Sequence, residues 1–343
     1  MHISGLEGYD IENMPLDVAA RMVQDMVPSV WKAVNTKTID APGTHYGFKA
    51  LATMFAGSIM AVLWDEHDRA ACNISAIAGR MAEYNYPVYY VSRPLLDALR
   101  HTHPPEGMVW SDVFMPFPAL VFMLPVGALA EPAPSNRPIV AVGVAKFEPG
   151  QLTKVPGTDV VVRPGWFKDQ WTEPRISVFW VLGPSCITGQ DATFKASLPL
   201  EPDPGWLDCK TEEFNAYYQQ NMNAGGTASE FSSYVAGLVA NMLLVMEARK
   251  QVVEHGGPTN RVLKSGLRVH RPNFIGRKYE VLRQQSSMRA SAGGHFTELG
   301  WRSGYIRRQH VGKGNADVKL VLIDPYIAYT SGLVREEKQS VCK

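Results

Sequence analysis

The chain has 343 residues and a formal net charge of +1, with 45% hydrophobic and 20% charged residues. This balance excludes a wholly disordered chain, and the length suits one large domain or two modest ones. The four cysteines are widely spaced and form no C-x-x-C pair, which argues against a disulfide framework or a four-cysteine zinc site.

The first hundred residues are predicted to be largely helical. A helix is expected from Pro15 onwards, helical structure continues over 48–84, and a short helix is expected over Leu95–His101. The dipeptide Tyr86-Pro87 ends the second of these segments, because proline disfavours helical backbone in the residue before it. We therefore predict a helical N-terminal part over residues 1–105.

Two apolar segments, 48–64 and 234–246, are the candidates for membrane spans. They contain 17 and 13 residues and are interrupted by Lys49 and Asn241, whereas a spanning helix needs about 20 apolar residues. Both are therefore expected to be buried core helices. The N-terminus also lacks a secretory pattern, so the sequence predicts a cytoplasmic protein with no membrane partner.

From residue 106 onwards the pattern changes to short apolar runs bounded by proline or glycine, such as RPIVAVGVAKF and RISVFWVLG, which are typical of strands. A long helix with an apolar stripe is predicted from Ser229 to Glu254. The fold prediction is α+β, with the helical N-terminal part followed by a mainly antiparallel sheet and a packed long helix. Residues 106–343 would form the α+β part, and one continuous domain is the alternative.

Two extended runs near the C-terminus, 301–311 and 318–327, are joined by residues rich in glycine, asparagine and aspartate. This pattern predicts a β-hairpin with the two runs as antiparallel neighbours. Side chains alternate along a strand, so Arg302, Arg308 and His310 should share one face with Ile306. The other face should carry Trp301, Tyr305 and Arg307.

Positive charge is concentrated in residues 261–313, which contain twelve lysines and arginines and only two glutamates. The window is therefore +10 and the rest of the chain −9. A polyanionic partner would offset the self-repulsion, and the interleaved aromatic residues would stack on unpaired bases. The sequence predicts nucleic-acid binding, with RNA or single-stranded DNA favoured. The candidate contacts are Arg268, Arg271, Arg277, Lys278, Trp301, Arg302, Tyr305, Arg307, Arg308 and Lys313.

Two alternative functions remain open. The first is a metal-independent ribonuclease, in which His295 and His310 act as general base and general acid while Arg307 and Arg308 stabilise the charged phosphorane. Tyr305 would assist that reaction. The second is a structural or assembly protein whose basic region docks an acidic protein surface. The sequence decides neither whether a reaction is catalysed nor the oligomeric state.

No cofactor or metal is predicted. Neither a dinucleotide-binding glycine motif nor a P-loop occurs, and no G-x-S-x-G motif is present. His101 and His103 have the spacing of a chelating pair, but only Glu106 is available nearby as a third ligand. Cys186 is interpreted as a small buried residue, which is the commoner role of an isolated cysteine.

The stretch from Trp301 to Arg307, followed by Lys313-Gly314 and an apolar run over Val321–Tyr326, resembles a signature of poorly characterised proteins from phages and mobile elements. Their C-terminal run is similar to Trp-Arg-Arg-Gly-His-Trp-Arg, and a glycine-containing turn and an apolar strand follow it. The resemblance covers about forty residues and implies a phage or mobile-element origin. Ser303 replaces an arginine of that run and Tyr305 replaces its histidine, so any chemistry of that histidine would be missing here.

Overall fold

The structure is a computed structural model in which three of the described α-helices lie before residue 100 and the fourth begins at Ala228. It describes residues 28, 30, 45–64, 69–100, 102–105, 107–131, 136–164, 172–183, 189–198, 200, 228–262, 268–270, 272–277, 279, 299–302, 304–312, 317–323 and 326–329. Among these residues, the α-helices are α1 (His45–Trp64), α2 (Arg69–Glu83), α3 (Arg93–Leu99) and α4 (Ala228–Ala248). The helix predicted from Pro15 falls outside the described residues.

The strands occur between and after these helices. The first eight are β1 (Val88–Val91), β2 (Thr102–His103), β3 (Ala119–Met123), β4 (Ile139–Phe147), β5 (Thr153–Lys154), β6 (Val161–Val162), β7 (Arg175–Leu182) and β8 (Gly189–Lys195). The strands after α4 are β9 (Val253–Glu254), β10 (Pro258–Val262), β11 (Arg268–His270), β12 (Asn273–Ile275), β13 (Leu299–Arg302), β14 (Gly304–Val311), β15 (Asp317–Ile323) and β16 (Tyr326–Tyr329).

The main sheet contains seven of the described strands, in the order β8-β7-β4-β3-β1-β12-β9. Strand β1 pairs in parallel with both β3 and β12, whereas the other neighbours pair antiparallel. A mainly antiparallel sheet combined with helices confirms the α+β prediction. The division at residue 105 stays a prediction.

Helices cover both faces of this sheet. On one face, α1 and α2 pack with Val88, Tyr90 and Phe179 in one apolar cluster. On the other face, α4 packs with Tyr89, Phe122 and their neighbours in a second cluster. Successive residues of a strand point to opposite faces, so the adjacent tyrosines of β1 belong to different cores.

Helix α4 ends at Ala248, before the predicted end at Glu254. A 3₁₀ turn over Lys250–Val252 follows it, and the next two residues form β9, which pairs antiparallel with β12. The prediction was wrong here because pairing at the sheet edge, favoured by the β-branched Val253, outweighs continuation of the helix.

Asn241 anchors α4 to the segment that follows α3. Its buried side-chain amide donates to the carbonyl oxygens of Leu99 and Thr102, at 3.3 and 2.7 Å. The amide nitrogen of the residue that interrupts the apolar run therefore has hydrogen-bond partners inside the protein core, whereas its Oδ1 has none among the described residues. No helix in the described part of the chain is long and apolar enough to cross a membrane.

Candidate nucleic-acid interface

The basic C-terminal region contains a β-hairpin, β13–β16, which we call the C-terminal ribbon. Strand β14 pairs antiparallel with β15, and Tyr305 lies opposite Ile323. Strands β13 and β16 continue the pairing in the same register, with Arg302 opposite Tyr326. Gly312 follows β14 with φ +83, a left-handed conformation that favours glycine. The predicted antiparallel pairing of 301–311 with 318–327 is confirmed.

The inner face of the ribbon is attached to the core beside α4. Ile306 and Leu322 lie opposite each other across the two strands, and both are buried in the α4 cluster. Arg249, just after α4, donates from Nη2 to the carbonyl oxygen of Leu322 at 3.0 Å. The edge of β14 also pairs in parallel with β2, where Tyr305 lies opposite His103. The base of the ribbon is thus fixed on two sides.

The outer face of the ribbon carries exposed side chains that alternate with the buried ones. Tyr305 is 41% exposed, and Arg307 and Gln309 follow it on the same face. Lys319 lies opposite Gln309 and is also exposed. Arg307 donates from Nη2 to Oε1 of Gln309 at 3.4 Å, a contact with a neutral amide. This face therefore presents an aromatic ring and two cations, with Asp317 as an acid near the turn.

Arg308 belongs to the inner face, beyond the buried Ile306. Its Nη2 lies 2.9 Å from Oδ2 of Asp112, and the two side chains are 47% and 42% exposed. The alternation predicted for residues 305–310 places the adjacent Arg307 on the opposite side. The two arginines therefore have different environments: one is held by a carboxylate, and the other contacts only an amide among the described residues.

Arg277 lies two residues after β12, the strand next to the edge strand β9 of the main sheet. Its guanidinium carbon is 4.1 Å from the centre of the Phe274 ring, a cation–π contact. Its Nη1 is also 3.8 Å from the carboxylate of Glu254 in β9. This arginine remains exposed but is close to an acid.

The other predicted binding residues are only partly covered by the structure. The backbones of Arg268, Trp301 and Arg302 lie in strands β11 and β13. Arg271, Lys278 and Lys313 lie outside the described residues.

The predicted catalytic pair is likewise only half described. His310 is exposed on β14, on the face that carries Arg308, while His295 lies outside the described residues, so their proximity stays a prediction. His101, Glu106 and Cys186 also lie outside them. Within the described ranges, no three His, Cys, Asp or Glu side chains are grouped closely enough to hold a metal ion.

A cluster of buried polar side chains lies between α2 and the main sheet. The amide of Asn73 donates to Asp191, to Oγ of Ser177 at 3.1 Å and to Oγ1 of Thr193 at 3.4 Å. All four side chains are buried and hydrogen-bonded within the cluster. We assign the cluster to the packing of α2 on strands β7 and β8, because hydrogen bonding offsets the cost of burying these groups.

A cavity that the sequence analysis missed lies between β1 and the end of α4. Its volume is about 300 Å³, and its walls are Tyr89, Phe114, Pro116, Met246, Glu247, Lys250, Val253 and His255. The hydroxyl of Tyr89 is buried and has no hydrogen-bond partner in the described part of the chain. Burial raises the pKa of Tyr89 to about 12, so its phenol stays protonated at neutral pH. The sequence signal for this cavity is a tyrosine in a strand whose residues are all buried, because a buried hydroxyl needs a hydrogen-bond partner.

Comparison with known proteins identifies a family for this chain. The sequence model of a family described as AcrVA2-like, the anti-CRISPR type V subtype A2 family, matches residues 89–328. A solved structure described as the crystal structure of AcrVA2 is similar to the chain with a TM-score of 0.35 and 12% sequence identity, over 93% of this chain and 100% of that one. No curated protein matches the sequence.

Proposed function

Since this chain belongs to the AcrVA2-like anti-CRISPR type V subtype A2 family, we propose that it acts against a type V CRISPR system by binding RNA through the outer face of the C-terminal ribbon. A CRISPR complex contains a guide RNA, which is a polyanionic partner of the kind that the charge pattern predicts. An anti-CRISPR family also agrees with a phage or mobile-element origin.

The observation that carries this proposal is the environment of Arg307. Its side chain is exposed, and its contact among the described residues is the neutral amide of Gln309 at 3.4 Å. A guanidinium that is not held by a carboxylate can form two parallel hydrogen bonds with a phosphate group. Lys319 on the same face adds a second cation. Arg308 differs, because Asp112 already neutralises it.

Tyr305 supports single-stranded RNA or DNA over a duplex. Its ring is 41% exposed and lies on the same face as Arg307. Unpaired bases stack on exposed aromatic side chains, whereas bases inside a duplex are already stacked on each other. A face that combines one ring with two cations therefore suits an unpaired strand.

The test is the salt dependence of RNA affinity for the wild type and for Arg307→Ala. Arg163→Ala is the matched control, because Arg163 is an exposed arginine just after β6, which pairs with β5 and contacts α2 on the opposite side of the main sheet. We expect Arg307→Ala to weaken binding and to reduce the slope of log affinity against log salt by about 0.7. The control should match the wild type.

Equal slopes for all three proteins would contradict RNA binding by this face. A complex with a CRISPR effector that survives nuclease treatment unchanged would favour the alternative in which the basic region docks an acidic protein surface. RNA fragments that accumulate in the presence of a chelator, and that are lost in His310→Ala, would support the metal-independent ribonuclease.

A further inference from the structure

We infer that the cavity beside Tyr89 binds one ribonucleotide, with the base inside and the ribose and phosphate at the rim. The inference deepens the proposed RNA binding and rests on it for the source of the ligand. The ligand has the same chemistry from either source: it is a ribonucleotide, free or as one unit of an RNA strand.

The size and the walls of the cavity fit a single planar base. Its volume of about 300 Å³ lies at the small end of ligand sites, which range over roughly 300–1,000 Å³. The apolar walls are provided by Phe114, Pro116, Met246 and Val253. Phe114 is 59% exposed, so its ring is available to stack on a base. Methionine sulfur also makes favourable contacts with aromatic rings.

Tyr89 supplies a polar group that lacks a partner. Its side chain is fully buried, and its hydroxyl makes no hydrogen bond in the described part of the chain. An unpaired buried hydroxyl is costly, and a ligand that brings a matching polar atom removes that cost. The edge of a nucleobase carries both donors and acceptors, and a protonated phenol can pair with either. A purely apolar ligand would leave the hydroxyl unpaired.

The charged residues at the rim match the rest of a nucleotide. Glu247 near the end of α4 and Lys250 in the following 3₁₀ turn both line the cavity, and neither side chain has an ion pair or hydrogen bond among the described residues. A carboxylate accepts hydrogen bonds from ribose hydroxyls, as in dinucleotide sites, whereas an ammonium attracts phosphate. Glu247 repels a phosphate, so the ribose lies towards Glu247 and the phosphate towards Lys250 and His255.

The side chain of Arg249 connects the rim of the cavity to the C-terminal ribbon. Arg249 lies between Glu247 and Lys250 in the sequence, and it donates to the carbonyl oxygen of Leu322 in β15 at 3.0 Å. The cavity and the base of the ribbon are therefore neighbours. A strand held by the ribbon could place one unstacked base in the cavity, and the ribose contact would distinguish RNA from DNA.

The experiment measures calorimetric binding of AMP, CMP, GMP and UMP, and of their 2′-deoxy forms, to the full chain. We expect saturable one-to-one binding of at least one ribonucleotide. Tyr89→Phe should weaken it roughly 3- to 10-fold, the range for one lost hydrogen bond. Tyr90→Phe, the matched control on the opposite face of β1, should not change it. Glu247→Ala should abolish the preference for ribose over deoxyribose.

Denaturant unfolding of each variant shows whether a loss of binding reflects a loss of the folded state. The Tyr89 hydroxyl has no partner in the described residues, so Tyr89→Phe should unfold at the same denaturant concentration as the wild type or at a higher one. The inference is overturned if no ribonucleotide saturates the protein at up to about 1 mM. It is also overturned if Tyr89→Phe and Tyr90→Phe bind equally well.

The two RNA proposals fail separately. If Arg307→Ala leaves RNA affinity unchanged while mononucleotides bind in a Tyr89-dependent way, the ribbon proposal fails and the cavity stands. If RNA binding depends on Arg307 but no mononucleotide binds, the cavity proposal fails alone. Competition identifies the source: an RNA oligomer that displaces the mononucleotide shows that the base belongs to a strand, whereas no displacement identifies a free nucleotide.

Discussion

Arg308 is bound to Asp112, which lies 196 residues earlier in the chain, with 2.9 Å between Nη2 and Oδ2. Asp112 ends a short 3₁₀ turn, Trp110–Asp112, so this ion pair joins the inner face of the ribbon to a loop before β3. The neighbouring Arg307 projects to the other side and contacts an amide. One of two adjacent arginines is thus used within the protein, and the other is available to a partner.

Removing the acid from this pair should release a cation. We expect Asp112→Asn to change the free energy of unfolding by less than about 1 kcal/mol, because both partners are about half exposed. If RNA lies within reach of Arg308, the slope of log affinity against log salt should steepen by up to about 0.7. Asp159→Asn, which removes the partner of Lys154, is the control. Weaker RNA binding by Asp112→Asn alone would instead show that the intact pair orders the interface.

Asn241→Ala should destabilise the protein and loosen the ribbon. The buried amide donates to the carbonyl oxygens of Leu99 and Thr102, so its removal leaves two buried acceptors without this donor, at a cost of about 1–3 kcal/mol. Thr102 belongs to β2, which pairs with β14 at Gly304. Denaturant unfolding measures the loss of stability, and faster amide hydrogen exchange in β14 reports the loosening of the ribbon. Unchanged exchange in β14 would mean that β2 does not support the ribbon.

Two glycines should respond in opposite ways to replacement by alanine. A Cβ at Gly143, in β4, would overlap the Phe179 ring and approach the carbonyl oxygen of Leu120 to 2.9 Å, whereas a Cβ at Gly237, in α4, meets nothing within 4 Å. Gly143→Ala should cost about 1–3 kcal/mol. Gly237→Ala should stabilise by about 0.5–1 kcal/mol, because alanine is the better helix residue. Chemical denaturation measures both, and a neutral Gly143→Ala would indicate that β4 and β7 can separate.

Glu173 should show a hydrogen-bond-dependent titration. The Ser197 hydroxyl donates to its Oε2 at 2.7 Å, and Lys195 lies 3.1 Å away, so the pKa of Glu173 is lowered below its ordinary 4.5. A lowered pKa in the folded state adds stability above pH 4.5, and that stability is lost as the pH falls through the folded value. Ser197→Ala should raise the NMR titration midpoint of Glu173. An unchanged midpoint would show that Lys195 alone perturbs the carboxyl.

Sequence patterns predicted much of this fold because helices and hairpins form through interactions between residues that are close together in the chain. The residues between 311 and 318 favour a turn, and the flanking runs favour strands, so the hairpin and its alternation follow from neighbouring residues. Helix periodicity identified α4, but its end at Ala248 depends on the pairing of β9 with β12, which no local pattern contains.

The candidate sites were harder to predict, because they depend on contacts between distant parts of the chain. The sequence predicted that both Arg307 and Arg308 bind nucleic acid, and only the fold brings Asp112 to one of them. The cavity combines Tyr89 of β1 with side chains near the end of α4, such as Glu247. No sequence pattern relates residues so far apart in the chain. The Tyr89 hydroxyl, in contrast, can be identified as a candidate unpaired group once β1 is known to be buried.

The two described strand pairs of the C-terminal ribbon share one register, which limits how the length of the ribbon can change in evolution. Each strand alternates between a buried face, at Ile306, and an outward face, at Arg307. Inserting a single residue into β14 before this pair, where no β-bulge accommodates it, would shift the pairing and exchange the two faces, which would bury the arginine and expose the isoleucine. Relatives with longer or shorter ribbons should therefore differ by equal numbers of residues on both strands, added or removed at the tip beyond Gly312.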